Sequence, residues 1–267
     1  MSDVDPVARQ RFVAEHPQAQ EVERVAIGEC DVVVLALPNS DIVDAVVLGP
    51  DGILDRLRAG SVLIDMGSSV PDRTRTIAAA AAARGVAVVD APVSGGVARA
   101  RRADLAIMVG AAPETLDTVR PLLEATGSTI VHVGDVGAGH AAKALNNLLS
   151  AVGLVAAAEV LLAGRKVGID PATLLQVLNA GSGRNAATES KFAQHVLPDT
   201  FDSGFAATLM RKDIRIALDL AHGVGTPTAI SDALGSVWSD AVENLGAGAD
   251  QTEVVRYLEA LTDTELR

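Results

Sequence analysis

Lys143, Asn146 and Asn147 stand at i, i+3 and i+4 in a run that opens Gly137-Ala-Gly-His-Ala-Ala-Lys-Ala-Leu-Asn-Asn. On a helix that spacing puts all three side chains on one face. The neighbours are Ala and Leu rather than charged residues. A helix N-terminus disfavours an ammonium through its dipole, and apolar surroundings disfavour it by desolvation. A lysine so placed has a depressed pKa and can exchange a proton with a substrate. The competing reading is a solvated surface lysine.

Three further clusters can do chemistry. Asp90-Ala-Pro-Val-Ser-Gly-Gly96 follows an apolar run. Its consecutive Ser94, Gly95 and Gly96 let backbone amides face an anion without side-chain obstruction, as a carboxylate cradle or simply as a tight turn. Leu37-Pro38 and Gly67-Ser68-Ser69 follow two other apolar runs, at the strand ends where open α/β sheets bind ligands. Met210-Arg-Lys-Asp213 lies in a helical stretch, where a Lys-Asp pair is expected on a solvated face. The five histidines are scattered without ligand spacing, and Cys30 has no partner, so no metal site is expected. His140, one turn before Lys143, is a bordering residue at most.

The elements that must position these residues follow from periodicity and punctuation. Asp31–Leu37 is a continuous apolar run closed by Pro38, the pattern of a strand buried on both faces. Asn39 or Ser40 caps a helix ending near Gly49-Pro50. Residues 61–65, 85–90, 105–110 and 128–133 read as further strands. Helices fill 72–84 and the stretch from Pro113. The chain opens as the end of a strand followed by a charged helix over 6–15. This alternation predicts a mostly parallel sheet with helices on both faces over 1–136. From 137 onward no strand-like run occurs. A long helix to about 167, then shorter ones broken at Gly168, Gly181-Ser-Gly183, Gly204, Gly223 to Pro227 and Gly246 to Gly248, predicts an all-α domain over 137–267.

Of the 267 residues, 49% are hydrophobic and only 2% aromatic, and the net charge is −12. Such a chain has a core of small side chains but neither the basic surface nor the stacking platforms of a nucleic-acid binder. The apolar stretch 144–163 approaches membrane-spanning length. Its Asn146, Asn147, Ser150 and Glu159 favour a buried helix of a soluble, cytoplasmic protein. No signal peptide is visible.

Taken together, Asp90–Val97, Gly137–Asn147 and Gly204–Asp213 resemble the substrate, catalytic and helical-domain segments of the β-hydroxyacid dehydrogenases, the group that includes 3-hydroxyisobutyrate and 6-phosphogluconate dehydrogenases. The resemblance implies a Rossmann-like domain followed by an all-α domain built on a long interdomain helix. It implies NAD-dependent oxidation of a small β-hydroxy carboxylate, with Lys143 as acid/base. Ser94, Gly95, Gly96 and Asn147 would bind substrate. Leu37, Pro38, Ser68 and Lys212 would line the cofactor, and Asp3 would bind the adenosine ribose, favouring NAD over NADP. A homodimer or homotetramer is expected. The sequence departs from the family in lacking the first strand and its Gly-x-Gly-x-x-Gly turn, and in carrying Gly67 and Arg99. An alternative expectation is therefore a non-catalytic remnant acting through binding or assembly.

Overall fold

The computed structural model describes residues 1–22 and 24–267. It divides into two compact units, residues 1–95 with 100–140, and residues 96–99 with 141–267.

The first unit contains α1 (Pro6–Glu15), β1 (Val32–Leu35), α2 (Ser40–Leu48), β2 (Val62–Asp65), α3 (Pro71–Ala82), β3 (Ala87–Asp90), β4 (Val93–Ser94), β5 (Ala106–Gly110), α5 (Pro113–Glu124) and β6 (Thr129–Gly134); α4 (Gly96–Ala100) begins at the unit boundary. β1, β2 and β3 run parallel. β3 and β4 together occupy one edge of β5, antiparallel to it, and β6 runs parallel along the other. The expected parallel sheet is thus present, with one antiparallel seam.

The alternation of side chains along β2 explains the layers. Leu63 joins Val43, Val47, Ile77 and Ala81 of α2 and α3 in one apolar cluster, while Val62 and Ile64 join Leu116, Val119 and Leu123 of α5 in another. β2 is accordingly buried along its whole length. Each fully buried aliphatic side chain contributes roughly 1.5–3 kcal/mol. β1 differs from expectation. Among the described residues it pairs with β2 alone, and its Val34 is 42% exposed rather than buried. The opening residues also depart from the strand expected of them. Residues 1–5 form no strand, although Val22 donates to the Met1 carbonyl at 3.0 Å. The helix after them begins at Pro6, with the Asp5 side chain capping Val7 N–H.

The second unit is helical: α6 (Ala138–Lys166), whose first turn lies in the first unit, then α7 (Pro171–Ala180), a π-helix (Ala187–Val196), α8 (Ala207–Gly223), α9 (Ala229–Leu245), a 3₁₀ turn (Gln251–Glu253) and α10 (Val254–Thr262). Ala144, Ala151, Leu154, Ala158 and Leu161 make a buried stripe along α6 at helical spacing. This helix is long and apolar enough to cross a membrane, with a mean hydropathy of 1.8, and 56% of that apolar window is buried within the protein.

The start of α6 rests on Asp90 at the end of β3. The Asp90 carboxylate accepts Gly137 N–H at 2.7 Å and His140 N–H at 2.8 Å, taking the part of a helix cap from a distant strand. The approach is close enough to exclude side chains. A Cβ on Gly139 would lie 2.5 Å from the Met108 carbonyl oxygen and 2.7 Å from that of Asp90. Both obstacles are backbone. Gly139→Ala is therefore expected to cost about 1–3 kcal/mol or more, read as a lowered urea midpoint; an unchanged midpoint would contradict this packing.

Candidate active site

In the second unit Lys143 and Asn147 lie one turn apart on α6, and α8 supplies a partner the sequence reading assigned to solvent. Asp213 is fully buried. Asn147 donates its Nδ2 to Asp213 Oδ2 at 2.6 Å, and Lys212 Nζ lies 3.4 Å from Asp213 Oδ1. Asp213 thus belongs to the buried stripe Met210, Asp213, Ile214 and Ala217. That position was a missed signal: an acid inside the apolar stripe of an amphipathic helix has to find a buried partner. Asn146, by contrast, is exposed and donates its Nδ2 to Asn147 Oδ1 at 3.3 Å.

Lys143 is 9% exposed. Burial holds its pKa below the ordinary lysine value, the Asp213 carboxylate pulls it back up, and the Lys212 ammonium pushes it down. A lysine balanced in this way can give and take a proton nearer neutrality than a solvated one, which is what acid/base work demands.

The first unit carries the other candidates. Leu37 and Pro38 follow β1, and Ser68 follows β2. Their turns touch: a Cβ on Gly67 would sit 2.7 Å from the Leu37 carbonyl oxygen, so the glycine there permits backbone approach. Ser94 ends β4 opposite Ala106, and Gly95 and Gly96 follow with φ of +134° and +67°, values that favour glycine. Asp3 precedes α1, and its carboxylate accepts Asp5 N–H at 2.9 Å. His140 lies in the first unit. Its ring is buried between Asp65 and Asp90, with Nδ1 2.9 Å from Thr74 Oγ1 and Nε2 3.6 Å from Asp65 Oδ2. No group of three metal-ligating side chains occurs among the described residues.

Two family models divide this chain between them. Residues 1–134 match the NAD-binding domain of 6-phosphogluconate dehydrogenase, and residues 137–258 match the NAD-binding domain of NADP-dependent 3-hydroxyisobutyrate dehydrogenase. The chain belongs to the β-hydroxyacid dehydrogenase family. It is 36% identical over 251 residues to 2-(hydroxymethyl)glutarate dehydrogenase of Eubacterium barkeri, covering 94% of this chain and 83% of that protein. It is likewise 36% identical over 234 residues to 3-hydroxyisobutyrate dehydrogenase of Pseudomonas aeruginosa, covering 85% and 78%. A solved structure of Mycobacterium tuberculosis 3-hydroxyisobutyrate dehydrogenase with L-serine superposes with a TM-score of 0.85 at 30% identity, over 96% of this chain and 89% of that one.

The nicotinamide cofactor of this family can be tested against the residues present. The adjoining turns after β1 and β2 offer an apolar wall at Leu37 and a half-buried hydroxyl at Ser68, suited to the nicotinamide end.

Asp213→Asn removes the charge that holds the Lys143 pKa up. The Lys143 Nζ titration, followed through the ε-carbon by NMR, should move to lower pH. A shift to higher pH would show that Asp213 does not act on Lys143.

Proposed function

We propose that this dehydrogenase oxidises a small β-hydroxy carboxylate to the corresponding semialdehyde, or runs the reverse reduction, with NAD. The buried Lys143, beside an Asn147 anchored to a buried Asp213, carries the reading. The cofactor, when bound, supplies the hydride acceptor.

Lys143 takes the substrate hydroxyl proton on Nζ during oxidation and returns it during reduction. Its lowered pKa supports the neutral form needed for the first role. Asn147, with its Nδ2 committed to Asp213 and its Oδ1 accepting from Asn146, keeps the second lone pair of that oxygen as an acceptor. Ser94, Gly95 and Gly96 bind the substrate carboxylate through backbone amides and a hydroxyl. Leu37, Pro38 and Ser68 line the nicotinamide end, with Lys212 beside it. Asp3 repels a 2′-phosphate and so favours NAD over NADP. The names of the relatives support substrates of this size, with 3-hydroxyisobutyrate and 2-(hydroxymethyl)glutarate as first choices.

Assembly as a homodimer is part of the same reading. Val155 and Ala156 of α6 with Ile230, Ala233 and Val237 of α9 line an apolar groove in the second unit, and Ile230 is 74% exposed. Ile230→Glu should shift the mass measured by light scattering toward the monomer.

Lys143→Ala should lower kcat about 10²–10⁴-fold while the dissociation constant for NADH stays within about twofold. Oxidation should gain rate with rising pH as Lys143 loses its proton, and Lys143→Ala should abolish that limb. Near-normal turnover in the variant would remove Lys143 from the mechanism. Titration with NAD and NADP tests the coenzyme preference, which tighter NADP binding would reverse.

A further inference from the structure

The face of α6 that carries Lys143 and Asn147 continues to Ser150, at i, i+4 and i+7. A second lysine meets it there. Lys191, from the π-helix, donates to Ser150 Oγ at 3.2 Å and to Gln251 Oε1 at 3.1 Å. Both acceptors are neutral. An ammonium has three donors, so two hydrogen bonds leave one N–H uncommitted.

Among the described residues no carboxylate contacts Lys191. Asp250 acts on Lys191 from a distance. Its own carboxylate is already occupied by Ser203 Oγ, Gly204 N–H, Thr252 N–H and Thr252 Oγ1. A largely buried cation without a contacting carboxylate is costly to keep. Burial pushes the Lys191 pKa down to about 8, against the pull of Asp250. A purely structural bolt between the π-helix and α6 needs no charge; a glutamine or methionine would serve.

We infer that Lys191 is a specificity-determining residue that receives a second anionic group on the substrate, so that the preferred hydroxy acid is a dicarboxylate. The inference deepens the dehydrogenase reading and rests on it. The length of the face fits. Lys143 and Ser150 are about 10 Å apart along the helix axis at ~1.5 Å per residue. A hydrogen bond of about 2.8 Å from the substrate hydroxyl at the Lys143 end and a charge-assisted one of about the same length at the Lys191 end leave about 5 Å, the reach of a chain of about four carbons. Asn147 lies midway along that path.

Two measurements test it on the full chain. In calorimetric titration without cofactor, glutarate should bind about tenfold or more tighter than butyrate, the preference a charge-assisted hydrogen bond confers. Lys191→Met, which removes a buried charge and is expected to fold, should erase that preference, and Lys191→Arg should keep most of it. In turnover with NAD, Lys191→Met should raise KM for a hydroxymethyl-substituted glutarate about tenfold more than it raises KM for 3-hydroxyisobutyrate. Equal losses for both acids, or no glutarate preference in the unaltered chain, overturns the inference. If the glutarate preference follows Lys191 but neither hydroxy acid is oxidised, the anion site stands and the dehydrogenase reading falls.

Discussion

A buried carboxylate accepting two backbone N–H groups sets the start of the long helix that carries Lys143 and Asn147. Asp90 is fully buried, and its desolvation raises its pKa, while His140 and the Gly137 and His140 amides oppose that rise. The helix dipole favours an anion at this end, and the open N–H groups of a first turn need acceptors. Both needs are met by one side chain at the end of β3. The arrangement tolerates no Cβ at Gly110, where one would lie 2.4 Å from Asp90 Oδ1. Asp65 extends the same construction, accepting Gly67 N–H and Ser69 Oγ–H while lying beside the His140 ring. Strand ends, a turn and a helix start are thereby tied at one place. Lys143 follows His140 by three residues on the same helix.

The second unit solves a different electrostatic problem. A buried lysine is costly to keep charged unless a counter-charge lies near it. Burial supplies the downward push on Lys143, and Asp213 limits it. Asp213 in turn is held by Asn147 and Lys212, so one buried acid serves three side chains from two helices. Removing the acid would leave Asn147 without its acceptor as well as changing the lysine, since buried polar groups act as a network.

Much of this was legible in the residue pattern. Asn39 caps α2 through Ile42 N–H as its type and position imply, and Pro113 opens α5. The strand and helix succession, the long α6 and the breaks at glycines all follow from local propensity and period. The apolar run at β1 was misleading for a simple reason. Composition records that a strand can be buried on both faces, but only the packing of other elements against the sheet decides whether both faces are covered, and Val34 of β1 is left 42% exposed. The short β4 was equally invisible, because two residues have no period; it exists through pairing with Ile107 and Ala106.

The sequence by itself determined most of the helices and the longer strands, the family, and the face shared by Lys143 and Asn147, because each of these is written in short contiguous segments of the chain. Tertiary structure alone decided the partners. Asp213 is 66 residues from Asn147, and Asp90 is 50 from His140. Neither contact leaves a local trace, since an acid that reads as a solvated neighbour of Lys212 becomes a buried counter-charge only when α8 packs against α6. Charge, burial and proton affinity are properties of that packing rather than of residue type, which is why the lysine could be singled out from the chain and its electrostatics could not.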